Sequence, residues 1–328
     1  MTYSTGSTIV AEDYNIFATG NAAGTGDNTI ANINTIWGTG TAQKGYGQSS
    51  TVAAVAVDTT ITATQWTTLL ARMNSIASHT GTTITAITNP NVGDTISVFS
   101  ALSTNISTLF TDSNSSSAAA NGTDSSANTT TTSTWDVRAQ TTKTITFASA
   151  NQLRYFFNAG GHIRMSFSLT GTSGDAKSLE WADLLTKTGT IVVTGLGTSK
   201  TIAGVSYDGT TKIGGGGVPS ILTTSTGAYN YTATPVTIYQ QYADDYLYQA
   251  NYIRIQASIS GNVITFAVLL EDAATDQIAP DGNAAITALD VVDGTLTMTT
   301  TIRPPSTTYI SNTWGSVTQN TASWTLTS

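Results

Sequence analysis

Residues 251–272 read NYIRIQASISGNVITFAVLLED. The dipeptide Gly261-Asn262 divides this stretch into two apolar-alternating runs. A two-residue Gly-X loop suits a type II′ turn, whose first position needs the positive φ that glycine adopts freely. That turn fixes the register by pairing Ser260 with Val263. Counting back, Ile259 faces Ile264, Ala257 faces Phe266, Ile255 faces Val268 and Ile253 faces Leu270. All eight fall on one face, while Arg254, Gln256, Ser258 and Thr265 fall on the other. Turn chemistry and binary pattern agree, which predicts an antiparallel sheet with one buried face.

The strand pattern extends on both sides of this hairpin. Thr295 to Arg303 alternates with Leu296, Met298 and Ile302 inward, and Pro304-Pro305 ends it. Lys143 to Ala148 places Ile145 and Phe147 on one face, and Ile191 to Val193 forms a short apolar strand. One helix interrupts the strands: Asp175 caps it, Leu179, Trp181, Leu184 and Leu185 are its apolar residues, and Gly189 closes it. Tyr155-Phe156-Phe157-Asn158-Ala159-Gly160-Gly161 precedes the alternating Ile163, Met165 and Phe167. In a strand-rich region the Gly-Gly pair predicts a bulge, a bend or close backbone approach.

Nearer the N-terminus the period changes. Thr62 and Gln65 have capping-box spacing. Trp66, Leu69, Leu70, Met73, Ile76 and Ala77 then form one helical stripe from Ala63 to Ser78, with Gly81 placed for a left-handed cap. His79, in the last turn, suits the dipole there as a cation. Ile96, Phe99, Leu102, Ile106, Leu109 and Phe110 predict a second helix over Thr95 to Phe110, paired with the first as an αα-hairpin. Ile30, Ile33, Ile36 and Trp37 predict a short helix stopped by Gly38 and Gly40. Residues 112–134 have no large apolar side chain before Trp135 and read as a linker or exposed loop. The predicted class is α+β: an N-terminal helical hairpin module over 1–111, the linker over 112–134, and a mainly antiparallel β domain with one packed helix over 135–306. A C-terminal tail over 307–328 carries Trp314 and Trp324 and is expected to dock on its own domain or a neighbouring subunit.

Composition narrows the function. About one residue in five is threonine, and charged residues make up 10% of the chain, against about 25% in ordinary soluble domains. The formal net charge is −8 with 12 Lys+Arg, which argues against a nucleic-acid partner. A surface of Thr, Ser and Asn costs little entropy to order and suits subunits packing on copies of themselves. With 0 cysteines, disulfides, thiolate catalysis and Cys-based metal sites are excluded. No apolar run reaches the roughly 18–20 residues of a membrane-spanning helix, and MTYSTGSTIV lacks the features of a signal peptide.

Candidate chemistry is sparse. His79 and His162 are the 2 histidines, too few ligands for a zinc site. Asp272, Asp276, Asp281 and Asn283 offer clustered oxygens without EF-hand spacing, and a solvated acidic loop is the simpler reading. Asp244-Asp245, among Tyr239, Tyr242, Tyr246 and Tyr248, resembles either a sugar-binding surface or a Tyr-rich interface. Adjacent carboxylates do not guarantee the separation a glycosidase needs. Gly214 to Gly217 lacks the Gly-Lys-Ser/Thr of a phosphate loop, and the Gly195 to Lys200 segment fails as a dinucleotide fingerprint. The residues therefore assign no catalytic, cofactor-binding or metal site, and no cofactor.

Three segments resemble structural proteins of tailed bacteriophages, cyanophages in particular. The first runs from Tyr14 to Gly81 and contains Gly45-Tyr46-Gly47-Gln48, Ile61-Thr62-Ala63-Thr64-Gln65-Trp66, Leu69-Leu70 and His79-Thr80-Gly81. The second runs from Phe147 through Arg164, with Trp181-Ala182-Asp183-Leu184-Leu185 and Gly189-Thr190-Ile191. The third joins the hairpin to Asp272, Asp276 and Val292-Asp293-Gly294-Thr295-Leu296. The resemblance implies a non-enzymatic virion component, assembled in the host cytoplasm and associated with tail, neck or fibre. Its implied partners are copies of itself and other virion proteins, with neither nucleic acid nor membrane. The alternative is a receptor-binding carbohydrate-recognition module on a phage fibre, with a host surface glycan as partner.

Overall fold

Four helices form the N-terminal part of the computed structural model, which describes residues 10–89, 99–245, 247–274 and 291–328. They are α1 (Ala11–Thr19), α2 (Ile33–Trp37), α3 (Ala63–Thr80) and α4 (Phe99–Asp112). The capping box of α3 is present: Thr62 accepts from the Gln65 N–H, and Gln65 accepts from the Thr62 N–H at 2.8 Å. Its predicted stripe is buried and Gly81 closes it at φ 75°. α4 packs on α3 as expected, and its predicted start at Thr95 lies outside the described residues. α1 is an addition to the sequence reading. Its signals were Glu12 and Asp13 in the first turn and Gly20 at φ 82° after the last.

The rest of the chain is built on strands: β1 (Ser125–Thr131), β2 (Arg138–Thr146), β3 (His162–Thr170), β4 (Thr190–Val193), β5 (Lys200–Ile202), β6 (Val205–Tyr207) and β7 (Thr210–Ile213). After them come β8 (Ile221–Leu222), β9 (Val236–Tyr242), β10 (Tyr252–Ser260), β11 (Val263–Glu271), β12 (Thr295–Arg303), β13 (Thr318–Gln319) and β14 (Thr325–Thr327). Two helices join them, α5 (Ala150–Asn158) and α6 (Ala176–Thr188). The fold is thus α+β. One antiparallel sheet has the order β1-β12-β3-β4-β7; the other has β13-β2-β11-β10-β9-β8, with β14 also on β2. The hairpin register holds at every predicted pair from Ile253↔Leu270 to Ser260↔Val263. Gly261 takes φ 61°, while Asn262 is not in the positive-φ region, as a type II′ turn requires.

Three sequence expectations are corrected. Two helices, not one, interrupt the strands: Phe156 and Phe157 lie in α5. Ser149 caps α5 by accepting from the Gln152 N–H. After Ala159, Gly160 turns left-handed at φ 90°. The Gly160 N–H then donates to Phe157 O and the Gly161 N–H to Phe156 O, the two bonds of a Schellman close. A Cβ on Gly161 would sit 2.7 Å from the Phe156 ring, so the second glycine makes room for the aromatic. Both phenylalanines are buried, with ring partners Phe147 and Tyr229. In α6, Leu179 is 52% exposed, while Trp181, Leu184 and Leu185 are buried. Residues 112–134 are not a free linker. Ser113, Asn114 and Ser116 are buried, and β1 pairs along its whole length with β12. Strand pairing here needs backbone and small hydroxyl side chains rather than large apolar ones.

The tail docks on its own chain. β13 and β14 pair with β2, Trp314 and Trp324 are buried, and Trp324 Nε1 donates to Thr129 O of β1 at 2.9 Å. It therefore covers the edges of β1 and β2 together. One hydrophobic core runs from the N-terminal helices through both sheets to the tail. Asn158 ties these parts by polar contacts: it donates to Gly45 O and accepts from Asn114 and Tyr229.

Candidate functional site

Strict alternation in β10, β11 and β2 buries Ile253, Ile255, Phe266, Val268 and Ile145. It leaves a polar outer face on the seven-stranded sheet. The register sets this face in rows. Arg254, Leu269 and Gln140 lie side by side, then Gln256, Ala267 and Thr142. The tail returns along β2 as a wall. Between β13 and β14 it is tied to β2 by Asn320, whose N–H donates to Thr144 O, and by Ser323, whose carbonyl accepts from Thr141 Oγ1 at 2.8 Å. Floor and wall enclose a cleft of about 530 Å³ lined by Arg138, Gln140, Thr142, Arg254, Gln256 and Ala267 among others. Its volume is within the usual range of small-ligand sites, about 300–1,000 Å³. Ala267 provides the depth, because larger neighbours rise on both sides of it.

The two arginines of the cleft differ. Arg138 is held by Glu271 in a two-pronged pair, Nε to Oε2 at 2.6 Å and Nη2 to Oε1 at 2.9 Å. Arg254 has no hydrogen bond and no ion pair among the described residues. Its guanidinium lies 5.6 Å from the centre of the Tyr252 ring, and its Nε is shielded from solvent without a partner. Tyr252 in turn meets Tyr242 at 5.4 Å. Each of the other eleven Lys and Arg side chains donates to an oxygen. Among the described residues no carboxylate lines the cleft, and with Arg138 held by Glu271 the charge of Arg254 is left over, in a chain of net −8.

The residues singled out from sequence are dispersed. Tyr239 is buried, with its hydroxyl on Gln241 Oε1 at 2.6 Å; Tyr248 is buried; Tyr242 is 43% exposed. Tyr246 lies outside the described residues. The expected aromatic platform is therefore reduced to Tyr242, because the period-two pleat turns Tyr239 inward. Asp244 is bound to Lys187, which also holds Asp183 at 2.5 Å. Glu180 completes a carboxylate trio with these two aspartates. The Lys187 ammonium already neutralises its centre, while Glu180 accepts from the Asp244 N–H and burial raises its carboxyl pKa.

His79 is a correction. It is buried rather than a solvated cation at the helix end, and burial pulls its pKa down to about 4. Its Nε2 reaches Ala159 O at 3.0 Å, which requires the proton on Nε2. His162, also lowered to about 4 by burial, stacks on Tyr207. Asp272 leaves the expected acidic loop too. It is buried 2.5 Å from Lys177 Nζ, which also reaches Asp136 at 2.7 Å, and burial raises its carboxyl to about 6. Asp276, Asp281 and Asn283 lie outside the described residues. Gly214–Gly217 form the turn from β7 toward β8, closed by Lys212 donating to Gly214 O and Gly216 O.

Sequence reading placed Arg254 and Gln256 on the outer face. It missed the cleft because the wall comes from a tail some 60 residues further on, whose return path no local pattern encodes. Comparison with protein-family models, curated proteins and solved structures finds no match for this chain.

Proposed function

We propose that this chain is a non-enzymatic structural subunit of a tailed bacteriophage particle, an oligomeric adaptor or decoration subunit of tail, neck or fibre. The observation that carries the proposal is the outer face of the five-stranded sheet. Thr295, Thr297, Thr299 and Thr301 of β12 point the same way, flanked by Ser126, Asn128 and Thr130 of β1 and by Ser166 and Ser168 of β3. Hydroxyls and amides link across the strands: Ser126 to Thr301 at 2.7 Å, Thr299 to Asn128 at 3.0 Å, Thr130 to Thr297 at 3.3 Å. Among the described residues, Arg164 and Arg303 share the single carboxylate of Asp124 at one end of the face, which leaves one positive charge in excess there. The hydroxyl and amide rows themselves are uncharged and already linked to one another, so burying them costs little entropy and desolvates no ion. The three resembling sequence segments supply the setting. Mass spectrometry of purified particles is the test: the chain is expected among the virion proteins. Its presence in infected cells but absence from particles would contradict the reading.

A second reading, a carbohydrate-recognition module on a fibre, is favoured by the polar cleft on the opposite sheet and the Tyr242–Tyr252–Arg254 row beside it. The two readings are compatible, since they use different faces of the molecule.

A further inference from the structure

We propose that the cleft between the outer face of β10–β11–β2 and the 320–325 tail binds a carboxylate-bearing saccharide, with Arg254 as the carboxylate-binding residue. The inference rests on the carbohydrate reading and names the ligand class.

Arg254 is the one cation of the chain without an oxygen partner among the described residues, and it lines the cleft. The chain's own habits show what such a group takes. Arg138, in the next row of the same sheet face, holds a carboxylate with Nε and Nη2, and Arg303 holds Asp124 the same way at 2.6 and 2.7 Å. This fork matches two coplanar oxygens. The guanidinium lies over the Tyr252 ring, and because its Nε is shielded, the edge left for an acceptor is the one formed by Nη1 and Nη2. Around it stand neutral groups that both donate and accept: Gln140, Gln256, Thr142 and Thr325. Such a lining fits a ring of hydroxyls better than an apolar ligand. Ala267 and Leu269 give the floor the small apolar surface on which a sugar's C–H face can rest.

The test uses the full chain on an array of acidic saccharides (uronate- and sialate-containing oligosaccharides), with their methyl esters and neutral sugars as controls. Affinities are then measured by calorimetry. The expected result is binding of at least one acidic saccharide, weakened tenfold or more both by esterification and by Arg254→Gln. Ala267→Trp, which fills the cleft from the solvent side without touching the core, should abolish binding, and it serves if Arg254→Gln does not fold. Neutral sugars bound and acidic ones ignored would overturn this inference while leaving the carbohydrate reading standing. Silence across the whole array would overturn both. Unchanged affinity in Arg254→Gln, or a change in oligomeric state with no effect on sugar binding, would overturn the inference and assign Arg254 to another partner.

Discussion

At the scale of single residues, the two histidines make stability depend on pH. His79 and His162 are lowered from 6.5 to about 4 in the fold. Between those values only the unfolded chain takes up their protons, so stability is complete above about pH 6.5 and is lost as pH falls toward 4. From pH 7 to 5 each histidine removes about 2 kcal/mol. Asp272 acts in the opposite sense: raised from 3.8 to about 6, it binds its proton first in the folded state and restores about 1 kcal/mol over the same range. Urea denaturation should therefore show a net loss of stability from pH 7 to 5. His79→Gln, which keeps a donor for Ala159 O, should shrink that loss by about 2 kcal/mol. A pH-independent midpoint in the wild-type chain would contradict the buried neutral state. From sequence, His79 read as a cation because its position in the last turn of α3 was legible, while the Tyr46 ring and the Ala159 carbonyl that enclose it come from distant segments.

At the scale of elements, local signals were readable wherever they agreed with one another. The hairpin at Gly261-Asn262 keeps its expected register pair by pair, and α3 keeps its expected start, cap and stripe while running to Thr80, two residues past Ser78. α5 was missed because three consecutive aromatics followed by two glycines resemble a strand and a bend, although Ser149 and Gln152 carried capping spacing. What holds α5 is packing: Phe156 meets Phe147 at 5.2 Å and Phe157 at 5.0 Å, and the aromatics lie against the shared core. Its cap should contribute in the usual measure. Ser149→Ala is expected to lower stability by about 1 kcal/mol, read from the shift in thermal or urea midpoint. No shift would mean that tertiary packing alone sets the start of the helix. β1 was hidden for a different reason. SSANTTT has no apolar alternation to report, and its pairing depends on β12, more than 160 residues later in the chain.

At the scale of the whole molecule, edges are covered and faces are left free. The tail closes β1 and β2 against strand addition, through Trp324 on Thr129 and through β13 and β14 on β2. The edges at β7 and β8 lie beside each other. With these edges covered, the outer faces are the surfaces left to a partner, and the two differ in chemistry. One is a level array of hydroxyls, the other a cleft with a cation. Composition had pointed to the first through the abundance of threonine, but only the register shows that the hydroxyls fall in rows on one side. The central claim is that this array joins copies of the chain, and the most direct measurement is the solution mass of the full-length protein by light scattering. The wild-type chain should give a defined closed oligomer, and Thr297→Lys with Thr299→Lys, which places like charges in the middle of the array, should give a folded monomer. A wild-type monomer at every soluble concentration, or an oligomer that the two lysines leave intact, would contradict it.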